Sequence, residues 1–473
     1  MRTLPRIATA LLAGLALLTT GVNRPVRAAQ PPRIRESSYA VTIFGRVAIY
    51  QPASAPRATA LLLSGDGGWN PGAARVAQDL AAHGMLVAGI STPTFMRSLE
   101  HARGSCINPN YALIGLARNV QHHMGVHAYM KPIIIGYSAG ATIAYAGLAQ
   151  WPNGGYRGVF SLGFSNDMPG RKPWCRAPGF SARPMKQPVR GWLFAPSTRI
   201  KVPWIVLQGG EDKVVDFAAA RRFVAAVPRA RMIALPNVAH DFADHRQWMP
   251  QMAAAFSPML AHIGPRADGL PQDLPITIVP ATGRKAPGDI MAVIYSGDGG
   301  WVGIDRDIAA QLSARGIPVV GVDSLSYFWS ARTPQGAAQD LRRIIAAYGT
   351  RWHRPKVMLI GYSFGADVLP AIVGSLDSAS RARVDSLSLL GLGPSADFQF
   401  HLASWLNISS ARALPTIPAI LQLKGMDIRC IRGALEAGSA CGDIPTGIAK
   451  TTTVPGDHHF NRNAQLLAYL ITA

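Results

Sequence analysis

Two stretches decide how the chain reads: Ile133–Ala149, IIIGYSAGATIAYAGLA, and Met358–Gly374, MLIGYSFGADVLPAIVG. Each opens as an unbroken apolar run, the mark of a strand covered on both faces, and continues at helical spacing. Between run and helix stands a Gly-Tyr-Ser-X-Gly pentapeptide, Gly136–Gly140 in one stretch and Gly361–Gly365 in the other. The glycines flanking each serine predict a turn too tight for a Cβ, with the hydroxyl lifted at the start of the helix.

Moving outward, a second pair matches. Ala60–Ile90, ALLLSGDGGWNPGAARVAQDLAAHGMLVAGI, parallels Ala292–Val322, AVIYSGDGGWVGIDRDIAAQLSARGIPVVGV. The offset is 232 residues between Ser64 and Ser296 and 225 between Gly136 and Gly361. Near-constant offsets indicate a duplicated unit. Apolar runs such as Pro132–Ile135 and Val357–Ile360 alternate with amphipathic helices, which predicts α/β architecture. Strand, serine turn and helix in this order point to a tandem duplication of α/β-hydrolase-fold domains, mostly parallel sheets with helices on both faces. The Gly/Pro/Asp-rich stretch His262–Leu274 sets the boundary, with Pro275–Pro280 opening the second copy. The expected division is 1–28 signal peptide, 29–269 N-terminal domain and 270–473 C-terminal domain.

A serine hydroxyl needs a base to act as a nucleophile, and in this topology acid and base follow it in the order Ser, Asp, His. In the first copy Trp204–Asp212, WIVLQGGED, reads as a strand ending in an acidic loop, and Asn237–Phe242, NVAHDF, supplies the base. In the second copy Ala419–Asp427, AILQLKGMD, and Gly456–Phe460, GDHHF, take those places. The expected triads are therefore Ser363, Asp427 and His458, with Ser138, Asp212 and His240 as a possible second set. Aligning the endings on their Phe selects His458 over its neighbour His459. Glu211, Asp216 and Asp443 are other loop carboxylates, read as solvated charge. Backbone amides must meet the oxyanion, and the residues after the nucleophiles, Ala139 and Phe364, offer one each. The SGDGGW loop, through Gly297 and Asp298, is expected to offer the second.

Several residues near these motifs carry weaker signals. Asp367 falls in the first helical turn after Ser363, where the helix dipole favours a carboxylate, and an ammonium-binding role is the sharper reading. Pro370 predicts a kink in the same helix. Tyr327-Phe328-Trp329 reads as packing, with an acyl pocket or a lipid contact as the other reading. His101 and Asp305 read as surface or capping residues.

Composition bounds the rest. A chain of 473 residues with 48% hydrophobic content is long enough for two cores. Arg2 and Arg6, the apolar run Ile7–Val22 and Val26-Arg27-Ala28 read as a secretory signal with the mature chain starting near Ala29. No later stretch stays apolar long enough to span a bilayer. Cys106 with Cys175 and Cys430 with Cys441 suit one disulfide per half in an oxidising compartment. No CxxC or HExxH spacing occurs, so no metal is expected, and serine acyl transfer implies no cofactor. The net charge of +21 draws anionic partners, and for an exported chain a phospholipid surface fits better than nucleic acid.

SGDGGW, GYSFGAD and GDHHF, read together from Ser296 to Phe460, resemble the VirJ/AcvB family of bacterial periplasmic virulence proteins. AcvB-like members are similar two-copy chains and VirJ-like members look like the second copy alone, so the resemblance covers nearly the whole mature chain. It implies a periplasmic serine hydrolase that releases lysine or alanine from aminoacylated phosphatidylglycerol, at Ser363, Asp427 and His458. It further implies membrane phospholipid as a substrate met by peripheral contact, and type IV secretion components as partners. Asp298 or Asp367 would then pair with the substrate ammonium. A general periplasmic esterase or lipase, and a non-catalytic secretion accessory or binding protein, are the alternatives.

Overall fold

A computed structural model describes residues 34–152, 155–186, 190–260, 270–271, 273–283, 289–400 and 413–473. The signal-peptide reading and most of the expected domain boundary lie outside the described residues. Two large sheets organise the chain. In the first, β1 (Arg35–Val41), β2 (Gly45–Gln51), β3 (Ala58–Leu63), β4 (Met85–Ile90), β5 (Ile133–Tyr137), β6 (Gly158–Leu162), β7 (Trp204–Gly209) and β8 (Ala230–Leu235) lie in the order β1-β2-β4-β3-β5-β6-β7-β8. β2 is antiparallel to both of its neighbours, and every pairing from β4 onward is parallel.

The second sheet repeats the plan without a counterpart of β1 among the described residues. β9 (Ile276–Val279), β10 (Ile290–Tyr295), β11 (Val319–Val322), β12 (Lys356–Tyr362), β13 (Val384–Leu390), β14 (Ile428–Gly433) and β15 (Lys450–Val454) lie in the order β9-β11-β10-β12-β13-β14-β15. Only β9 runs antiparallel. This strand order, repeated, is a tandem pair of α/β-hydrolase sheets.

The pleat explains why the central strands are mostly apolar. In β3, Leu61 and Leu63 join the core on one face of the sheet while Ala60 and Leu62 join the core on the other. In β10, Met291, Val293 and Tyr295 face one way and Ile290, Ala292 and Ile294 the other. A strand buried on both faces is therefore mostly apolar, with a few small or hydrogen-bonded polar residues such as Thr59, Ser161 and Gln208 buried among them.

One predicted strand is absent. Ala419–Asp427 does not form a strand: Thr416–Leu421 is a short helix, against the helix Phe364–Gly374, and the strand begins only at Ile428. Arg429 and Arg432 lie within it, so its apolar pattern is broken, and the more continuous Ala-Ile-Leu run upstream drew the assignment. The helix Phe364–Gly374 runs through Pro370.

Residues 34–473 form one compact unit, in which the two halves touch. Trp329, 6% exposed, donates its indole N–H to the carbonyl of Val126 at 2.7 Å, and Ser330 donates to that of His127 at 2.8 Å. Lys131 stands 3.6 Å from Asp323. Tyr327-Phe328-Trp329 is thus packed inside the protein, where the lipid-contact reading has no surface to act on. Disulfides join Cys106 to Cys175 and Cys430 to Cys441. Among the described residues no helix is long and apolar enough to cross a membrane.

Candidate active site

Both serines sit at a strained turn. Ser138 has φ 52° and ψ −120°, and Ser363 has φ 53° and ψ −121°, each between a strand end and a helix start. L-residues rarely hold positive φ, and such strain persists only where the surroundings impose it. Here the imposition is steric. A Cβ on Gly365 would lie 2.1 Å from the carbonyl oxygen of Tyr295, and one on Gly361 would lie 2.4 Å from that of Gly365. Gly140 and Gly136 are enclosed in the same way by Leu63 and Gly140. The tight strand-to-helix turn read from the pentapeptide is therefore present twice.

In the first half the expected residues meet. His240 Nε2 lies 3.1 Å from Ser138 Oγ, and His240 Nδ1 lies 2.8 Å from Asp212 Oδ2. Asp212 is held by the amides of Val214 and Val215, both at 2.9 Å, and by the Gln208 amide at 3.0 Å. Asp216 caps the helix Phe217–Ala225 by accepting from Ala218 and Ala219, and Glu211 is exposed.

In the second half the serine and histidine meet as expected, but the acid differs. His458 Nε2 lies 2.8 Å from Ser363 Oγ, while His458 Nδ1 is hydrogen-bonded to Glu436 Oε1. Asp427 stands at the opposite end of β14, half-exposed, and accepts from the Arg429 guanidinium at 2.6 Å. The reason is topological: ligands meet a parallel sheet at the carboxyl ends of its strands, and Asp427 precedes β14 whereas Glu436 follows it. Glu436 stands three residues past Gly433, as Asp212 stands three past Gly209. The offset from Asp212 to Glu436 is 224 residues, in step with the 225 of the serine motif, whereas Asp427 would give 215. That break in offset was the available signal.

The surroundings of Glu436 fix its place. Its second oxygen accepts from the Gly433 amide at 3.0 Å, and its side chain is 5% exposed. The Cys430–Cys441 disulfide brackets the loop that carries it. The bond to Glu436 raises the His458 pKa against the opposing effect of burial. His459 points elsewhere, its Nδ1 2.8 Å from the Tyr362 hydroxyl. Asp443, the other carboxylate considered, is exposed.

The SGDGGW loops lie against the serines. A Cβ on Gly297 would approach Ser363 Cβ to 3.6 Å, and one on Gly65 would approach Ser138 Cβ to 3.4 Å. The tryptophans anchor both loops: Cβ atoms on Gly321 and Gly89 would stand 2.2 and 2.1 Å from the rings of Trp301 and Trp69. Asp305 is a carboxyl that is 2% exposed and whose pKa burial pushes well up. Asp305 is correspondingly no surface residue; it sits beneath the loop.

Phe364 and Ala139 open the helices after the serines, so their amides point out of the first turn without intrahelical acceptors. Phe364 packs against Phe328, with ring centroids 5.2 Å apart. Asp367 accepts from the Gly393 amide at 2.6 Å, and burial pushes its pKa up to about 7, with His458 opposing the rise and Asp298 and Glu436 adding to it. Its counterpart by the 225-residue offset is Thr142, so the second site holds an acid that the first lacks. Among the described residues no group of His, Cys, Asp and Glu is arranged to hold a metal ion.

Comparison with solved structures returns α/β hydrolases, each over about half of this chain. An α/β serine hydrolase without a lid from Xanthomonas campestris is 17% identical, covering 48% of this chain and 94% of its own, with a TM-score of 0.31. An α/β serine hydrolase homologue from Coxiella burnetii is 18% identical over 48% and 97%, with a TM-score of 0.31. A dienelactone hydrolase from Anabaena variabilis is 18% identical over 48% and 99%, with a TM-score of 0.32. No curated protein matches the chain. The sequence profile of the bacterial virulence protein (VirJ) family matches residues 57–158 and 289–473, more than half of the chain and most of both repeated motifs. The protein belongs to the VirJ family.

Proposed function

We propose that the chain is a periplasmic serine hydrolase that cleaves the aminoacyl ester of lysyl- or alanyl-phosphatidylglycerol at Ser363. The observation that carries the reading is the continuous chain Ser363–His458–Glu436 on a strained strand-to-helix turn. Ser363 Oγ attacks the aminoacyl carbonyl while His458 Nε2 takes its proton. Glu436, holding Nδ1–H, fixes the tautomer and stabilises the imidazolium. The Phe364 and Asp298 amides receive the oxyanion, His458 returns the proton to the departing glycerol oxygen, and water then releases the amino acid.

Two further observations support the substrate class. The charges of Asp298 and Asp367 both act on His458, which supports a reading in which these acids pair with a substrate ammonium beside the carbonyl. The two disulfides and the basic balance of the sequence suit an oxidising compartment facing anionic lipid.

The test is amino acid release from lysyl- and alanyl-phosphatidylglycerol vesicles by the wild-type chain, Ser363→Ala and Ser138→Ala. Release abolished by Ser363→Ala and kept by Ser138→Ala is expected. Hydrolysis of simple esters without amino acid release would return the substrate to a general esterase class, and release that depends on Ser138 would move the chemistry to the first half.

A further inference from the structure

The first half reaches into the candidate site of the second. Arg118, on the helix Asn110–His123, is 2% exposed. Its Nη2 donates to the backbone carbonyl of Asp298 at 2.9 Å. Its guanidinium stands 5.3 Å from the centroid of the Phe400 ring, and its charge acts on the buried Tyr129 hydroxyl. Trp329 closes the surrounding cluster, with Tyr129 at 5.2 Å and Phe400 stacked at 5.7 Å. Burying a guanidinium is costly unless its donors are engaged, so its place here is set by the groups that receive it.

What receives it is the carbonyl of Asp298, on the oxyanion loop. The carbonyl of Gly297 is held by Ser296 Oγ at 3.1 Å and by the Gly300 amide at 3.0 Å. In a trans peptide the N–H points opposite to the carbonyl, so this hold aims the Asp298 amide away from the turn. Arg118 fixes the next peptide plane, between Asp298 and Gly299. With both planes held, the amide of Asp298 is not free to swing.

We infer that Arg118 is a positioning residue for the Ser363 site, through which the first half sets the oxyanion loop of the second. The inference rests on Ser363 being the nucleophile. Arg118 touches no reacting atom; it acts through Asp298, whose amide meets the oxyanion and whose carboxylate faces the substrate. The first half is thereby an activating element built into the chain, whatever its own serine does.

The test uses a fluorophosphonate, which reports on each serine without knowledge of the substrate. Serine Oγ bonds phosphorus, fluoride departs, the histidine takes the proton, and the phosphoryl oxygen occupies the oxyanion position. Labelling rates are measured at Ser363 in a Ser138→Ala background and at Ser138 in a Ser363→Ala background, each with Arg118, Arg118→Met and Arg118→Lys. Arg118→Met is expected to slow Ser363 by about ten- to a hundredfold, the scale of a misplaced or lost oxyanion donor. Ser138 should stay within about twofold, Arg118→Lys should lose less, and added methylguanidinium should restore part of the Ser363 rate in Arg118→Met. An unchanged Ser363 rate in folded Arg118→Met, or an equal fall at both serines, overturns the inference. A wild-type chain labelled nowhere at Ser363 instead overturns the catalytic reading on which it rests.

Discussion

Glu436 and Asp427 separate a position in a sequence from a position in a fold. Glu436→Gln should lower kcat/KM by about 10³- to 10⁴-fold, as expected when the partner that fixes a histidine tautomer is neutralised. Asp427→Asn should leave it within about twofold, since that residue meets only Arg429 at the far end of the strand. Steady-state ester hydrolysis measures both. The pH profile adds a sign. His458 must be neutral to accept the serine proton, and Glu436 raises its pKa, so activity is lost as pH falls through that raised value. Glu436→Gln should therefore move the acidic limb of kcat/KM to lower pH while lowering the plateau. Asp367 predicts a second pH effect, because its pKa is pushed up to about 7. Below that value it is neutral and cannot pair with an ammonium, so the preference for an aminoacyl ester over a neutral ester should fade as pH drops through about 7. Asp367→Asn should show a weaker preference that no longer changes as pH passes through about 7.

At the scale of elements, what could be read and what could not follow from how each element announces itself. The serine turns were legible because a doubly buried strand, two obligatory glycines and a helix fall in one short run. Their glycines predict their own test: Gly365→Ala, facing a carbonyl at 2.1 Å, should cost about 2–4 kcal/mol of stability in denaturant unfolding. β14 was not legible, since Arg429 and Arg432 interrupt its apolar pattern and send their side chains to Ile471 and Thr453. Nor could sequence show that Asp305 is buried, since its type and its place in the first turn of a helix are those of an ordinary helix-start acid. The loop after β14 carries the acid under a disulfide of sequence separation 11. Closing so short a loop is worth about 3 kcal/mol in the chain-entropy view. Replacing Cys430 and Cys441 by Ser should lower stability by about that amount and slow Ser363 labelling more than Ser138 labelling.

At the scale of the whole molecule, the repeat told how many sheets to expect but not that they are joined through Trp329, because a buried aromatic has the same spelling in a core and in an interface. Trp329→Ala should weaken that junction. Calorimetry should then show the unfolding transition broaden or divide, and Ser363 should lose reactivity while Ser138 keeps it. The same junction has a meaning in time. Synthesis delivers the first half before the second, and such units fold as they emerge. Arg118 is thus already carried on its folded helix, Asn110–His123, when the loop that seats it arrives, so the Ser363 centre is the last part of the protein to come into being.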